Sequence, residues 1–214
     1  MSATGFLSMQ KADDPSFQLL NISTQHIHDK NTGTPAVFLD IVVNKNMREI
    51  QSFHELKGCR WARNTCDQMT SAVTLHQLKL IGTSASFFSN VLKSRSHLDS
   101  LRMILQRKAH ASAVDSNALQ MFLRENPNEK SELFSIATWG PLPPYALVVR
   151  TSLDPKVKDA LCRVLLTMHE TSDGREILTS FKVKGFVPVC EDDLQVGEDY
   201  MEATKGLSFD TAYY

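Results

Sequence analysis

Three short polar runs combine hydroxyls, carboxylates and an imidazole just where an apolar run ends: Asn64 with Asp67, Thr70 and Ser71; Ser94-Arg95-Ser96-His97; and Asp115-Ser116. Ser, Thr and Asp at a helix start accept hydrogen bonds from the first free backbone N–H groups, and those same groups attract an anion when no side chain fills them. If the three runs meet in space, they form the equipment that holds a phosphate-like oxyanion without a metal. A second chemistry is a nucleophile and its base, Cys66 with His97, which needs the thiol within hydrogen-bond reach of the imidazole and a lowered thiol pKa. Each piece also has a plainer reading. Thr70, Ser71, Ser96 and Asp115 serve as helix caps, and His97 bonds a neighbouring carbonyl. His26, His28 and His110 lie in unpatterned surroundings and read as solvated.

The elements that must bring these runs together follow from periodicity and punctuation. Ala36–Val43, β-branched and preceded by Pro35, reads as a buried strand. Ile50–Leu56 reads as a brief helix stopped by Gly58, and Cys59–Arg63 as the next strand. Thr70–Leu80 is helical with Gly82 as its stop; Phe87-Phe88 and Val91-Leu92 form a short element on the same core. A helix opens at His97 with Ser96 as N-cap and Asp99 at capping-box spacing. Ala111–Val114 is a strand, followed by a helix carrying Leu119, Phe122 and Leu123. Leu133–Thr138 and Ala146–Val149 are strands divided by a rigid crossing at Trp139–Pro144. A helix capped by Asp154, with Pro155 at N1, buries Val157, Ala160, Leu161, Val164, Leu165 and Met168. Residues 173–181 form a shorter helix, Phe186–Val189 a closing strand, and the tail from Glu191 is polar. Residues 1–34 show no sustained period. Strands alternating with helices predict an α/β fold with largely parallel pairing.

Composition bounds the partners. The chain has 214 residues, 42% hydrophobic, with 2 Trp, 4 Tyr and 11 Phe to anchor a core. Its 23 basic and 24 acidic residues leave a formal charge of −1, so no overall field draws it to nucleic acid or an anionic membrane. Cys59, Cys66, Cys162 and Cys190 lack paired spacing and read as reduced, buried thiols, with no metal site and no cofactor. The opening residues lack a basic stretch followed by an apolar run, and the expected address is cytoplasmic.

Several motifs in order carry a family resemblance: Phe53–Asn64, Ser94–Leu101, Ala113–Ser116, Trp139–Pro143 and Phe181–Val189. Over about residues 36–193 the chain resembles the phosphate, phosphite and phosphonate substrate-binding proteins of ABC transporters. The resemblance implies a periplasmic-binding-protein-like type II fold, two lobes joined by two crossing strands and closing over a ligand in the cleft. The first lobe would combine residues 1–44 with 140–214, the second would be 45–139. It also implies that the Ser-His motif lends His97, and the Asp-Ser motif Asp115, to the phosphonyl group. Residues 1–34 do not resemble the units with which the family begins, so the chain reads as shortened at the N-terminus with an incomplete first lobe.

The departures are local. Gln68 and Met69 stand where hydroxyls are expected, while Ser71 and Arg95 occupy glycine positions. The expected function is non-catalytic binding of a small phosphate- or phosphonate-like oxyanion through Asn64, Thr70, Ser71, Ser96, His97 and Asp115, with no nucleic acid or membrane partner and no protein partner specified. The alternatives are a degenerate binding-protein fold acting as an interaction module or inactive short form, and an enzyme reusing the cleft.

Overall fold

The computed structural model describes residues 16–31, 33–190 and 192–209. The opening stretch 1–15, read above for a leader, lies outside them. In chain order the strands are β1 (Phe17–Leu19), β2 (Ile22–His26), β3 (Val37–Asn44), β4 (Arg60–Asn64), β5 (Asn90–Ser94), β6 (Ala111–Asp115), β7 (Leu133–Leu142), β8 (Val148–Arg150) and β9 (Val183–Pro188). The α-helices are α1 (Gln68–Leu80), α2 (His97–Leu105), α3 (Ser116–Glu125), α4 (Pro155–Thr167), α5 (Ser172–Ser180) and α6 (Asp192–Ala203). Chain contacts divide the protein into two units: residues through Val37 with Pro141–Asp199, and Phe38–Gly140 with the described residues from Tyr200 on.

The second of these units, called the sheet unit below, is built on five strands in the order β5-β4-β6-β3-β7. β4 pairs in parallel with both β5 and β6, whereas β3 runs antiparallel to β6. Alternation along β3 sends Ile41 and Val43 to one face and Val42 to the other, as a period of two requires. On the first face Leu75 and Leu78 of α1 pack with an aromatic cluster of Phe53, Trp61, Phe87 and Phe88. On the second, Leu101 and Ile104 of α2 meet Leu119 and Phe122 of α3. The chain therefore leaves β4 for one side of the sheet and β5 for the other, which makes the carboxyl edge of β4 a topological switch point, the place where open α/β sheets take ligands.

The other unit is antiparallel. β1 pairs with β8, and β2 with β9 through a bulge at Gln25/His26. Among the described ladders the two at β4 are parallel while β1·β8, β2·β9 and β3·β6 are antiparallel, so the largely parallel expectation is corrected. Such pairing requires a crossover between strands, and it occurs where helices α1 and α2 intervene. β2 lies in the segment without a pattern because its buried members include Ser23 and Gln25, whose polarity hides the period; Ser23 Oγ donates to Tyr145 O at 2.8 Å.

Four further expectations change. No residue of α4 is buried: its apolar stripe is present, but Val157 and Val164 are 45% and 63% exposed. β7 runs on through Trp139-Gly140 to Leu142 instead of stopping at a crossing. Of the four free cysteines only Cys59 is buried, while Cys66 and Cys190 are exposed. His26 is half-buried edge-on against Tyr145, and His110 is half-buried with Nδ1 accepting from Arg60 N–H, so neither is merely solvated. Among the described residues no helix is long and apolar enough to cross a membrane.

Candidate functional site

β4, β5 and β6 each hand the chain to a helix within a few residues, so the N-termini of α1, α2 and α3 all open at one edge of the sheet unit. Local chemistry fixes each start. Asp67 caps α1, Ser96 caps α2 by accepting from Asp99 N–H at 3.0 Å, and Asp115 caps α3 by accepting from Asn117 and Ala118 N–H at 2.9 and 3.0 Å. Asp99 returns a bond to Arg95 N–H at 3.0 Å, one residue ahead of the usual capping-box position. The edge is laced together by Thr65, whose N–H and hydroxyl both donate to Ser94 O at 3.0 and 2.9 Å.

The centre of the arrangement is Asp67. Its Oδ1 accepts from Met69 N–H at 3.0 Å and Thr70 N–H at 3.3 Å; its Oδ2 accepts from the Thr70 hydroxyl at 2.5 Å and from His97 Nε2 at 3.1 Å. His97 Nδ1 faces Asp115 N–H at 3.4 Å, and since a backbone N–H only donates, Nδ1 accepts. The neutral imidazole then carries its proton on Nε2, the atom that donates to Asp67. One carboxylate so collects four donors from two helices thirty positions apart. Burial alone would raise the Asp67 pKa, but the bonds from His97 and Thr70 outweigh it and hold the carboxyl below its ordinary 3.8.

That depression sets a pH dependence. A carboxyl whose folded pKa lies below its unfolded value stabilises the fold above the unfolded value, and the contribution disappears as pH falls through the folded one. Wild type is therefore expected to lose its advantage over Asp67→Asn as the pH drops from about 4 towards 2. Paired thermal melts across that range check this, and a constant gap between the two curves would refute it.

Of the six residues singled out from sequence, the fold gathers Thr70, His97 and Asp115 around Asp67. Asn64 is buried and shapes the turn, its Oδ1 accepting from Cys66 N–H at 3.0 Å. Ser71 accepts from Arg63 Nε at 3.3 Å, and Arg63 in turn lies 5.0 Å from the Phe209 ring centroid. Ser96 acts as a cap. Asp67 stood in the first polar run without a role of its own; its reach to His97 depends on the crossover that sets β5 beside β4. Ser116 Oγ, also at this edge, is buried without a hydrogen-bond partner among the described residues. Among the described residues no group of three His, Cys, Asp or Glu side chains is placed to hold a metal ion.

Solved structures share the architecture. PhnD1 from Prochlorococcus marinus, in complex with methylphosphonate, superposes with a TM-score of 0.70 at 17% identity, over 94% of this chain and 83% of that one. A binding-protein component of an ABC phosphonate transporter from Pseudomonas aeruginosa gives 0.69 at 13%, over 94% and 74%. XAC2383 from Xanthomonas citri bound to ATP gives 0.63 at 19%, over 95% and 75%. At these identities the likeness is one of fold, and the fold is the two-lobed type II periplasmic-binding-protein architecture. A sequence model of the phosphonate periplasmic substrate-binding proteins of ABC transporters matches residues 22–194, which is most of the chain, and the chain belongs to that family.

Proposed function

We propose that the sheet unit binds a small phosphate- or phosphonate-like anion, without catalysis, at the N-termini of α1 and α2, and that Asp67 fills the anion's place when none is bound. The observation that carries this is the Asp67 carboxylate, an oxyanion already held by two backbone N–H groups, a hydroxyl and an imidazole N–H. Tetrahedral oxyanions are recognised by the same donor types at helix N-termini. The lone Ser116 hydroxyl is a further donor at the same edge. Binding is favoured over nucleophilic chemistry because both imidazole nitrogens are engaged, with Asp67 and Asp115 N–H, and neither meets Cys66.

The internal carboxylate also favours a second reading, a site silenced by its own side chain in a fold kept for another purpose. Methylphosphonate, the ligand of the Prochlorococcus protein, is the first probe. In an amide NMR titration we expect saturable shifts at Met69, Thr70, His97 and Asp115 that weaken at least about tenfold in His97→Ala, the loss expected of one charge-assisted bond. No response at these amides, either in wild type or once Asp67 has been replaced by serine, would overturn the proposal.

A further inference from the structure

At the opposite edge of the same sheet, where β3 ends and β4 and β6 begin, the sheet unit has a cavity of about 380 Å³ lined by Asn44, Asn46, Met47, Arg60, Arg107 and His110. Two guanidiniums border it, and among the described residues neither forms an ion pair with a carboxylate. Arg60 donates from Nε to Lys108 O at 2.7 Å and from Nη2 to Arg107 O at 2.8 Å. Arg107, in turn, directs Nε and Nη2 at the Asn46 amide, whose oxygen accepts at 3.2 and 3.0 Å in the orientation its partners dictate. Neutral acceptors fix the direction of both side chains and leave their charge uncancelled.

His110 registers that charge. Burial, and then the Arg60 guanidinium, lower its pKa, so the ring is held neutral beside the cavity. Its Nδ1 accepts from Arg60 N–H at 3.2 Å, which puts the ring proton on Nε2. The lining thus offers two guanidiniums and an imidazole N–H as donors, next to the apolar side chain of Met47.

Arg107 is also out of place by backbone criteria. It has φ +58°, one of two described non-glycine residues in the left-handed region. There it closes α2, with Arg107 N–H on Ile104 O at 3.0 Å and Lys108 N–H on Met103 O at 2.9 Å. Helix α1 closes through the same pair of bonds, Gly82 N–H on Lys79 O at 3.0 Å and Thr83 N–H on Leu78 O at 2.9 Å, but with glycine at φ +70°. Glycine meets this backbone requirement without strain. An arginine in the same position is strained, and strain of this kind gathers where a side chain serves a ligand.

We propose that this cavity is a second anion site, separate from the helix N-termini, that takes a small organic oxyanion with an apolar body, of the phosphate-monoester class. A dianionic head with three oxygens matches paired guanidiniums, whose planar forks hold phosphate oxygens two at a time, and the apolar body matches Met47.

The test is an amide NMR titration of the full chain with phenyl phosphate, alongside melts of each variant. We expect saturable shifts at Asn46, Arg60, Arg107 and His110. Arg107→Gly should weaken the apparent affinity at least tenfold while the melting temperature of the sheet unit holds or rises, because glycine suits the left-handed backbone. His97→Ala should leave these shifts unchanged. The absence of saturable shifts at the four amides up to about 10 mM, where even a millimolar site fills, would overturn the proposal. So would equal affinity in Arg107→Gly, or a response confined to Thr70 and His97, which would place the anion at the other edge.

Discussion

Replacing Asp67 by serine is expected to tighten the proposed binding of inorganic phosphate by about 10- to 100-fold, to be read by calorimetry at neutral pH. The Asp67 carboxylate occupies the donors that a phosphate oxygen would use, and it brings a like charge to the same spot. Two such charges about 4 Å apart repel by about 4 kcal/mol at an effective dielectric near 20. Rotation of the side chain towards solvent relieves part of this, and about 1.4 kcal/mol of what remains corresponds to each factor of ten. Serine keeps a hydroxyl for the α1 N-terminus, so the helix stays capped while the contact with His97 is vacated. Asp67→Asn removes the charge but keeps the bulk, and should fall between wild type and Asp67→Ser. Phosphate affinity in Asp67→Ser no better than in wild type would show that the carboxylate does not compete for the site.

The second large effect concerns stability. Trp61 is 1% exposed, stacks on Phe88 at 4.7 Å between ring centroids and meets Phe53 edge-on at 6.1 Å. Truncating a buried aromatic of this size removes its transfer energy and leaves a cavity, at a cost of about 3–5 kcal/mol. Trp61→Ala is therefore expected to lose about 4 kcal/mol in urea unfolding, with the midpoint falling and the slope unchanged. That is a large share of the 5–15 kcal/mol a typical domain has in total. A loss below about 1 kcal/mol would mean that the aromatic cluster repacks around the gap. The residue also matters to the site, because β4 carries the chain from Trp61 through Asn64 to the Asp67 cap.

What could be read from the sequence follows the same physics. β3, β4, β6 and the caps Ser96, Asp115 and Asp154 were legible because burial and capping leave short-range signatures. β5 was visible only as apolar pairs, since as an edge strand it keeps Asn90 and Lys93 exposed. α6 was missed in a tail that reads as polar, its buried members being Leu194 and Gly197. At the site, Thr70, His97 and Asp115 could be named from their places after strands, and so could Asp67, but not its role of joining them. Asp67 looks like any helix cap until the crossover sets β5 beside β4. The Arg60 and Arg107 cavity carries no motif at all, because its residues come from a strand start, a helix end and the turn after β3.

The bare outer stripe of α4 bears on how this molecule comes apart. An element that buries none of its residues fully contributes little cooperativity to its neighbours, and a two-stranded ribbon is marginal by itself. The sheet unit, with its two hydrophobic layers, has no such weakness. Heating would then loosen the helix-and-ribbon half first while the sheet half persists, so one transition temperature cannot describe the whole chain.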